Sequence, residues 1–368
     1  VVTQSTSSSP PPIAIAPASP ADLEGDGLEA LIVAGKTELV VGRGLPHPIL
    51  PARSDRERVA LVTQPGATHI ALEVARQLRD EDLQVEVIGL PDREEAKTLV
   101  VAGSVYEALA RFGLGRHDTV VGVGGGSVSD LAGFVAGTWL RGVEAVHVPT
   151  TLLAAVDAAI GGKTGVNLAG KNLVGVFWHP TRVIVDVTIL EDLPTTLRRE
   201  GLAEALKTGL VGDRELFELL EQEGEEASLE EVVTKAAAVK VRVVGEDERD
   251  SGLRAILNFG HTIGHAIEYA SPLSHGESVA VGMVAAGQIS ERRLRFQGLE
   301  RMSGAIAGLG LPTRVDGLER ARVEDLLRHD KKRDSSGMRM VLLRALADPV
   351  VEHVEAADLA LGLDAVGL

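Results

Sequence analysis

One segment narrows the possible folds of this chain more than any other: Asp118-Thr-Val-Val-Gly-Val-Gly-Gly-Gly-Ser-Val-Ser-Asp130, a short branched apolar run that empties into glycines. The apolar part is too short for a helix and lacks polar alternation, the pattern of a strand buried on both faces. The glycines mark a tight turn, and Ser127-Val-Ser-Asp130 opens a helix. The unit does not stand alone. RVALVTQ (58–64) reads as a buried strand followed by a helix through Arg79, LQVEVIGL (83–90) as the next strand, residues 97–113 as a helix and VEAVHVP (143–149) as a further strand. Strands alternating with helices predict a parallel sheet. Two β-like runs, ALIVAG and TELVVG, flank a turn between Glu29 and Gly42. Past about Leu193 the period lengthens, and segments 197–210, 214–223, 228–247, 254–270 and 275–293 are amphipathic at helical spacing. The expected organisation is a Ser-, Pro- and Ala-rich disordered leader over 1–27, an α/β domain over 28–190 with a Rossmann-like parallel sheet, and a mostly α-helical domain over 191–368.

Composition excludes several function classes. The 368 residues carry a formal net charge of −16, which argues against a nucleic-acid partner, since phosphates demand a basic surface. Apolar runs are broken before ~18 residues, so no membrane span is read, and no basic region followed by an apolar core marks a signal peptide. The absence of cysteine excludes disulfides and thiolate chemistry and fits a reducing, cytoplasmic compartment. An anionic substrate would need a local cluster of cations. Arg141, Lys163, Lys171, Lys207, Lys240, Arg254 and the pair Lys331-Lys332 are scattered in sequence but flank the motifs below.

The turn Gly124-Gly-Gly-Ser127, with Asp130 behind it, lets backbone approach a phosphate at a helix N-terminus, and departs from G-x-G-x-x-G. An ordinary strand–helix turn is the other reading. Thr150-Thr151, Asp157 and Gly161-Gly-Lys163 form a second polar island, followed by Gly170-Lys171-Asn172; the spacing is not that of a Walker A loop, and a glycine-rich hairpin with a solvated lysine is the plain alternative. Glu204 and Lys207 stand one helical turn apart, which alone would be a surface ion pair, but their neighbours are small and apolar. His261, His265 and His275 fall within fifteen residues. Imidazole is the commonest metal ligand near neutral pH, and without cysteine a site must use nitrogen and oxygen donors, suited to zinc or a similar divalent ion. Spacing alone favours His261 and His265, four apart on one helix face, as the ligand pair. Glu204, His261 and His275 would instead supply one oxygen and two nitrogens.

In order and with plausible spacing, GGGSVSDLAGFVA, RGVEAVHVPTTLLAAVDAAIGGKTGVN, GKNLVGVFWHP, GLAEALKTG, LNFGHTIGHAIE and HGESVAVGM resemble the 3-dehydroquinate synthase family of sugar-phosphate cyclases, over about residues 29–350. The resemblance implies an NAD-binding α/β domain joined to a helical metal-binding domain, in a homodimer. It implies conversion of 3-deoxy-D-arabino-heptulosonate 7-phosphate to 3-dehydroquinate and phosphate, in the shikimate route to aromatic amino acids. The steps would be transient oxidation by NAD, phosphate elimination, reduction, ring opening and aldol closure, with the substrate's own phosphate helping to remove a proton. Carried onto this chain, the metal ligands (for Zn or Co) are Glu204, His261 and His275. Asp157 and Lys207 meet substrate hydroxyls, and Lys240 and Arg254 hold the carboxylate. Lys163, Asn172, Asn258, His265 and one of Lys331 and Lys332 hold the phosphate, with Arg141 reaching it from a neighbouring subunit. Among these, Asp157, Lys207, His265 and Lys163 are the catalytic set. NAD lies against Gly124, Gly125, Gly126, Ser127, Asp130, Thr150, Thr151 and Lys171, with Glu94 and Lys97 near its ribose. Three positions depart from the family pattern: Gln64 where an acidic residue is usual, Arg93 where Gly is frequent, and Asp250 where Glu is commoner. A metal-dependent polyol or glycerol-phosphate dehydrogenase, a sedoheptulose 7-phosphate cyclase and a catalytically inert binding protein are the alternatives.

Overall fold

The computed structural model describes residues 28–34, 37–328, 333–334 and 337–368. The leader over 1–27, and Lys331 and Lys332, lie outside the described residues. The first half is built around one sheet. Its strands are β1 (Leu28–Ala34), β2 (Thr37–Gly42), β3 (Arg58–Thr63), β4 (Gln84–Gly89), β5 (Thr119–Gly124), β6 (Glu144–Pro149) and, after the hairpin β7 (Lys163–Val166) and β8 (Val174–Phe177), β9 (Arg182–Asp186). Helices α1 (Thr68–Asp80), α2 (Leu99–Phe112) and α3 (Gly126–Thr138) cover it. Every residue of β5 is buried, as its unbroken apolar run requires of a central strand. α1 buries Ala71, Val74, Ala75 and Leu78, a single stripe at helical spacing.

The sheet order is β1-β2-β9-β6-β5-β3-β4. Six strands, β2 to β4 in that order, pair in parallel, while β1 is antiparallel to β2. The six strands form the parallel sheet expected from sequence, and β1 adds an antiparallel edge through the short turn read between Glu29 and Gly42. Strand order reverses between β3 and β5, which opens a crevice at their carboxyl ends, the ligand position of open α/β sheets.

From Val187 the chain is mainly helical: α4 (Val187–Glu191), α5 (Thr195–Gly212), α6 (Arg214–Glu223), α7 (Leu229–Glu246), α8 (His261–Ala270), α9 (His275–Leu294), α10 (Leu299–Gly308), α11 (Arg320–Arg328) and α12 (Ala356–Ala365). Before α12, β10 (Arg333–Asp334), β11 (Gly337–Ala345) and β12 (Asp348–Val354) form an antiparallel sheet that the amphipathic helical pattern did not foretell. The single helix expected over 254–270 is also corrected. A 3-10 turn over Leu253–Asn258 precedes α8, and between them Gly260 takes φ 77°, a left-handed conformation that interrupts the helix. One apolar cluster runs from Leu39, Val183 and Val185 of the sheet through Leu152 and Val156 to Leu202 and Leu206 of α5, so the two halves share a core.

Candidate active site

Three helices bring Glu204, His261 and His275 together. Every residue of α5 from Gly201 to Val211 is buried, which encloses Glu204 and Lys207. Their exposure is 0% and 2%, so this is no surface ion pair. His261 and His275 are the first residues of α8 and α9. The start of α9 is fixed by Ser274, whose hydroxyl accepts from the Glu277 amide while the Glu277 carboxylate accepts from the Ser274 amide, a reciprocal cap. Glycines let the helices meet at main-chain distance. A Cβ on Gly264 would stand 2.9 Å from the Ser278 carbonyl, and one on Gly276 2.6 Å from Cα of Glu200.

The donor atoms of Glu204, His261 and His275 all lie within 4.8 Å of one another. Nε2 of His261 is 3.4 Å and Nε2 of His275 is 3.5 Å from Oε1 of Glu204. That oxygen is buried without a hydrogen-bond partner. A tetrahedral zinc with bonds of about 2.0–2.2 Å separates its donors by roughly 3.3–3.5 Å, so the spacing fits such an ion. The outer nitrogens support the same orientation: His261 Nδ1 faces the Phe259 carbonyl at 3.1 Å and His275 Nδ1 faces Oε2 of Glu268 at 3.2 Å, which turns each Nε2 inward toward Glu204. The residues therefore fit a divalent cation. Spacing had favoured His261 with His265. The structure instead places His265 in a second group, with Glu268 and His275, beside the first.

Charge is concentrated here. Glu204 is held well below the usual carboxylate range; burial pushes the other way, but Lys207, His261 and His275 outweigh it. Burial lowers His261 to about 3, leaving a neutral imidazole able to ligate. Burial also works against charge on His275, but the carboxylates of Glu204 and Glu268, one beside each ring nitrogen, push it up to about 10, so a cation taken there displaces a proton. Lys207 donates to Oε2 of Glu204, and Lys240 donates to both the carboxylate and the main-chain oxygen of Asp157. Asp157 sits in a π-helical turn, Ala154–Ala158. Arg254, 3% exposed, abuts Gly161, where a Cβ would stand 2.7 Å from its guanidinium nitrogen. Lys207 and Lys240 pair with the carboxylates of Glu204 and Asp157, and Arg254, whose main-chain amide donates to the buried Asp247, adds a third buried cation.

At the crevice, the turn after β5 carries its own opening. Gly125 precedes α3 without any side-chain cap, so the first amides of the helix face outward. A Cβ on Gly126 would stand 3.1 Å from that of Ala158, and one on Gly125 3.3 Å from Cγ2 of Thr151, so only glycine keeps this cradle open. The Thr150 amide donates to the Gly124 carbonyl, which brings Thr150 and Thr151 alongside the turn. Lys97 pairs with Asp130 at 2.7 Å and lies 3.8 Å from Glu94. Burial raises Asp130 to about 6, against the pull of Lys97. The cradle, threonines and ion pair fit a dinucleotide with its pyrophosphate at the helix end.

The remaining predicted residues are more spread. Lys163 pairs with Asp250, and Lys171 with Glu268 at 2.6 Å, so neither lysine of this island is merely solvated. Asn172 donates its amide to the Asn167 side chain, and Asn258 donates to the Ala255 carbonyl. Arg141 is exposed past the far end of α3, about 20 Å of helix from the glycine turn. Two residues had not been singled out. Asn167 donates to Glu94 at 2.8 Å, and Glu268 bridges His275 and Lys171. Glu268 was signalled only by its i,i+3 spacing from His265.

A cation site of one carboxylate and two imidazoles beside a dinucleotide crevice defines a metal- and nucleotide-dependent enzyme architecture. The sequence profile of the 3-dehydroquinate synthase N-terminal domain matches residues 87–200, and that of the C-terminal domain residues 201–333. A 3-dehydroquinate synthase of Saccharopolyspora erythraea is 44% identical, covering 85% of this chain and 87% of the relative. Among solved structures, the 2-epi-5-epi-valiolone synthase ValA of Streptomyces hygroscopicus, with NAD+ and Zn2+ bound, is 27% identical at a TM-score of 0.81, covering 91% of this chain and 98% of that one. A 2-deoxy-scyllo-inosose synthase complexed with carbaglucose-6-phosphate, NAD+ and Co2+ is 28% identical at 0.79, covering 90% and 97%. The chain belongs to the 3-dehydroquinate synthase family.

Proposed function

We propose that the chain acts as a 3-dehydroquinate synthase, a carbon–oxygen lyase converting 3-deoxy-D-arabino-heptulosonate 7-phosphate to 3-dehydroquinate and phosphate. The family membership supports the reaction, and one observation carries it to the residues: the unpartnered Glu204 Oε1 between two imidazole nitrogens, in a site that also holds the buried cations Lys207 and Lys240. Relatives of similar fold hold NAD+ with Zn2+ or Co2+, and the same pair is the cofactor set here. When bound, the cation would acidify a substrate hydroxyl and polarise a carbonyl, and the dinucleotide would accept and return a hydride.

The protein's own groups bind and orient. Glu204, His261 and His275 hold the cation. Asp157 and Lys207 meet the hydroxyls beside it, and Lys240 with Arg254 takes the carboxylate. Lys163, Asn172, Asn258 and His265 take the phosphate; Lys163 would first have to leave Asp250. Gly124 to Ser127 receive the pyrophosphate, Asp130, Thr150, Thr151 and Lys171 further parts of the dinucleotide, and Glu94 and Lys97 lie near its ribose. Arg141, exposed past the far end of α3, would reach the phosphate of a neighbouring copy, as in a homodimer. Among the described residues no helix is long and apolar enough to cross a membrane, and the composition suits a cytoplasmic enzyme.

The test is incubation with the heptulosonate phosphate, NAD and zinc. Phosphate should be released with no lasting NADH absorbance. Accumulating NADH would indicate a dehydrogenase, and turnover of sedoheptulose 7-phosphate in preference would indicate the sister cyclase. The carboxylate clamp, Lys240 with Arg254, speaks for the acidic substrate.

A further inference from the structure

The groups Glu204–His261–His275 and His265–Glu268–His275 share one imidazole. A second cation is the obvious reading of the second group, but Lys171 is already there: its ammonium lies 2.6 Å from Oε1 of Glu268 and 5.4 Å from the centroid of the Tyr269 ring. An ion at that place would also have to take His275 through Nδ1 while Nε2 serves the first site, stripping the ring of its last N–H proton. The geometry gives Glu268 a different use. Its Oε2 faces His275 Nδ1 at 3.2 Å, while His275 Nε2 faces Glu204 at 3.5 Å. Its Oε1 holds Lys171, in the segment between β7 and β8 on the opposite half of the molecule. Its side chain is 15% exposed, while that of Lys171 is 41% exposed.

We propose that Glu268 is a positioning residue: it fixes the tautomer and angle of His275 for the cation and, through Lys171, couples cation binding to dinucleotide binding. The first part stands on the geometry alone. The second rests on the reading that Lys171 meets the dinucleotide. Lys171 shares the Glu268 carboxylate with His275. A dinucleotide that draws Lys171 away leaves more of that carboxylate to His275, and the ligand becomes more basic. Coupling of this kind is reciprocal.

The experiment uses the full chain and zinc alone, by competition with a chromogenic chelator, with and without saturating NAD. Glu268→Gln keeps shape and removes charge; its zinc affinity should fall about 10–100-fold, with the melting temperature of the metal-free protein unchanged. Lys171→Met should keep wild-type zinc affinity or tighten it. In wild type NAD should tighten zinc several-fold, and in Glu268→Gln it should not. Equal zinc affinity in Glu268→Gln and wild type overturns the positioning role. Loss of zinc from Lys171→Met to the same degree as from Glu268→Gln overturns it too, because the effect would then follow local packing. An NAD effect that persists in Glu268→Gln overturns the coupling. NAD affinity unchanged in Lys171→Met overturns only the placement of the dinucleotide on that lysine, leaving the zinc arm standing.

Discussion

Lys240 reaches from α7 to Asp157 and donates to both its carboxylate and its main-chain oxygen, joining the helical half to the turn after β6. Burial lowers the lysine, and Lys240 and Lys207 together hold Asp157 low against its own burial, so the pair is ionised. An incoming carboxylate would meet an ammonium already oriented. Lys240→Met should lower kcat/KM by about 100-fold, chiefly through KM, the loss of one charge-assisted hydrogen bond of ~1.5–3 kcal/mol. Steady-state kinetics with the heptulosonate phosphate checks this; an unchanged KM would remove Lys240 from the substrate site.

Glu204→Gln keeps the bulk of the side chain but leaves the buried Lys207 without its carboxylate. Zinc retention in chelator should drop by at least about 100-fold, and the metal-free protein should lose about 3–5 kcal/mol of stability, the cost of an uncompensated buried charge. Denaturant melts on metal-free samples separate the two effects. Retained zinc would place the ion elsewhere.

How much of this was legible follows from where physics acts. β5 could be read because a central strand buries both faces, and the glycine turn because no other residue opens that approach. The Glu204–Lys207 spacing was visible, but only the packing of α5 turns a routine surface pair into a buried one. His265 was favoured over His275 because helical spacing reports only one helix face, and His275 joins from another helix. Gly260 hid the break before α8, since a lone glycine in an amphipathic run does not announce a left-handed conformation. Glu268 was signalled only by its spacing from His265, because its two partners lie seven residues ahead and nearly a hundred behind.

Gln64 tests a departure from the family pattern. Its amide donates to the carbonyls of Pro91 at 3.0 Å and Arg93 at 2.9 Å, holding the loop where Arg93 adopts φ 48°. An acidic residue cannot donate. Gln64→Asp should therefore destabilise this chain by about 1–3 kcal/mol, measured by urea unfolding, although it restores the commoner residue type.

Gly126→Ala separates cofactor binding from folding. The new methyl would stand 3.1 Å from Cβ of Ala158, a contact that a small shift relieves, yet it enters the space before the helix amides. NAD affinity by calorimetry should weaken about tenfold or more, roughly the loss of 1.4 kcal/mol or more, with the melting temperature of the cofactor-free protein little changed. Equal NAD affinity would move the pyrophosphate off this turn.

His147, 2% exposed in β6, is lowered to about 4 by burial. Its folded value lies below the unfolded one, so the unfolded chain binds the extra proton. The stability it permits is complete above about pH 6.5 and is lost as pH falls toward 4, by up to about 3 kcal/mol. The pH dependence of unfolding for His147→Gln should be shallower than wild type by about one proton in that window. Parallel curves would show that the ring is already protonated in the fold.

The glycines at the crossings of α5, α8 and α9 bear on which ions the pocket can admit. Because Gly264 and Gly276 bring backbone against backbone, the helices that carry the ligands stand at a close, fixed spacing. Calcium, with six to eight oxygen ligands at about 2.3–2.6 Å, would find one carboxylate and two imidazoles too poor in oxygen, so the donors that this crossing presents select for a smaller ion that accepts nitrogen.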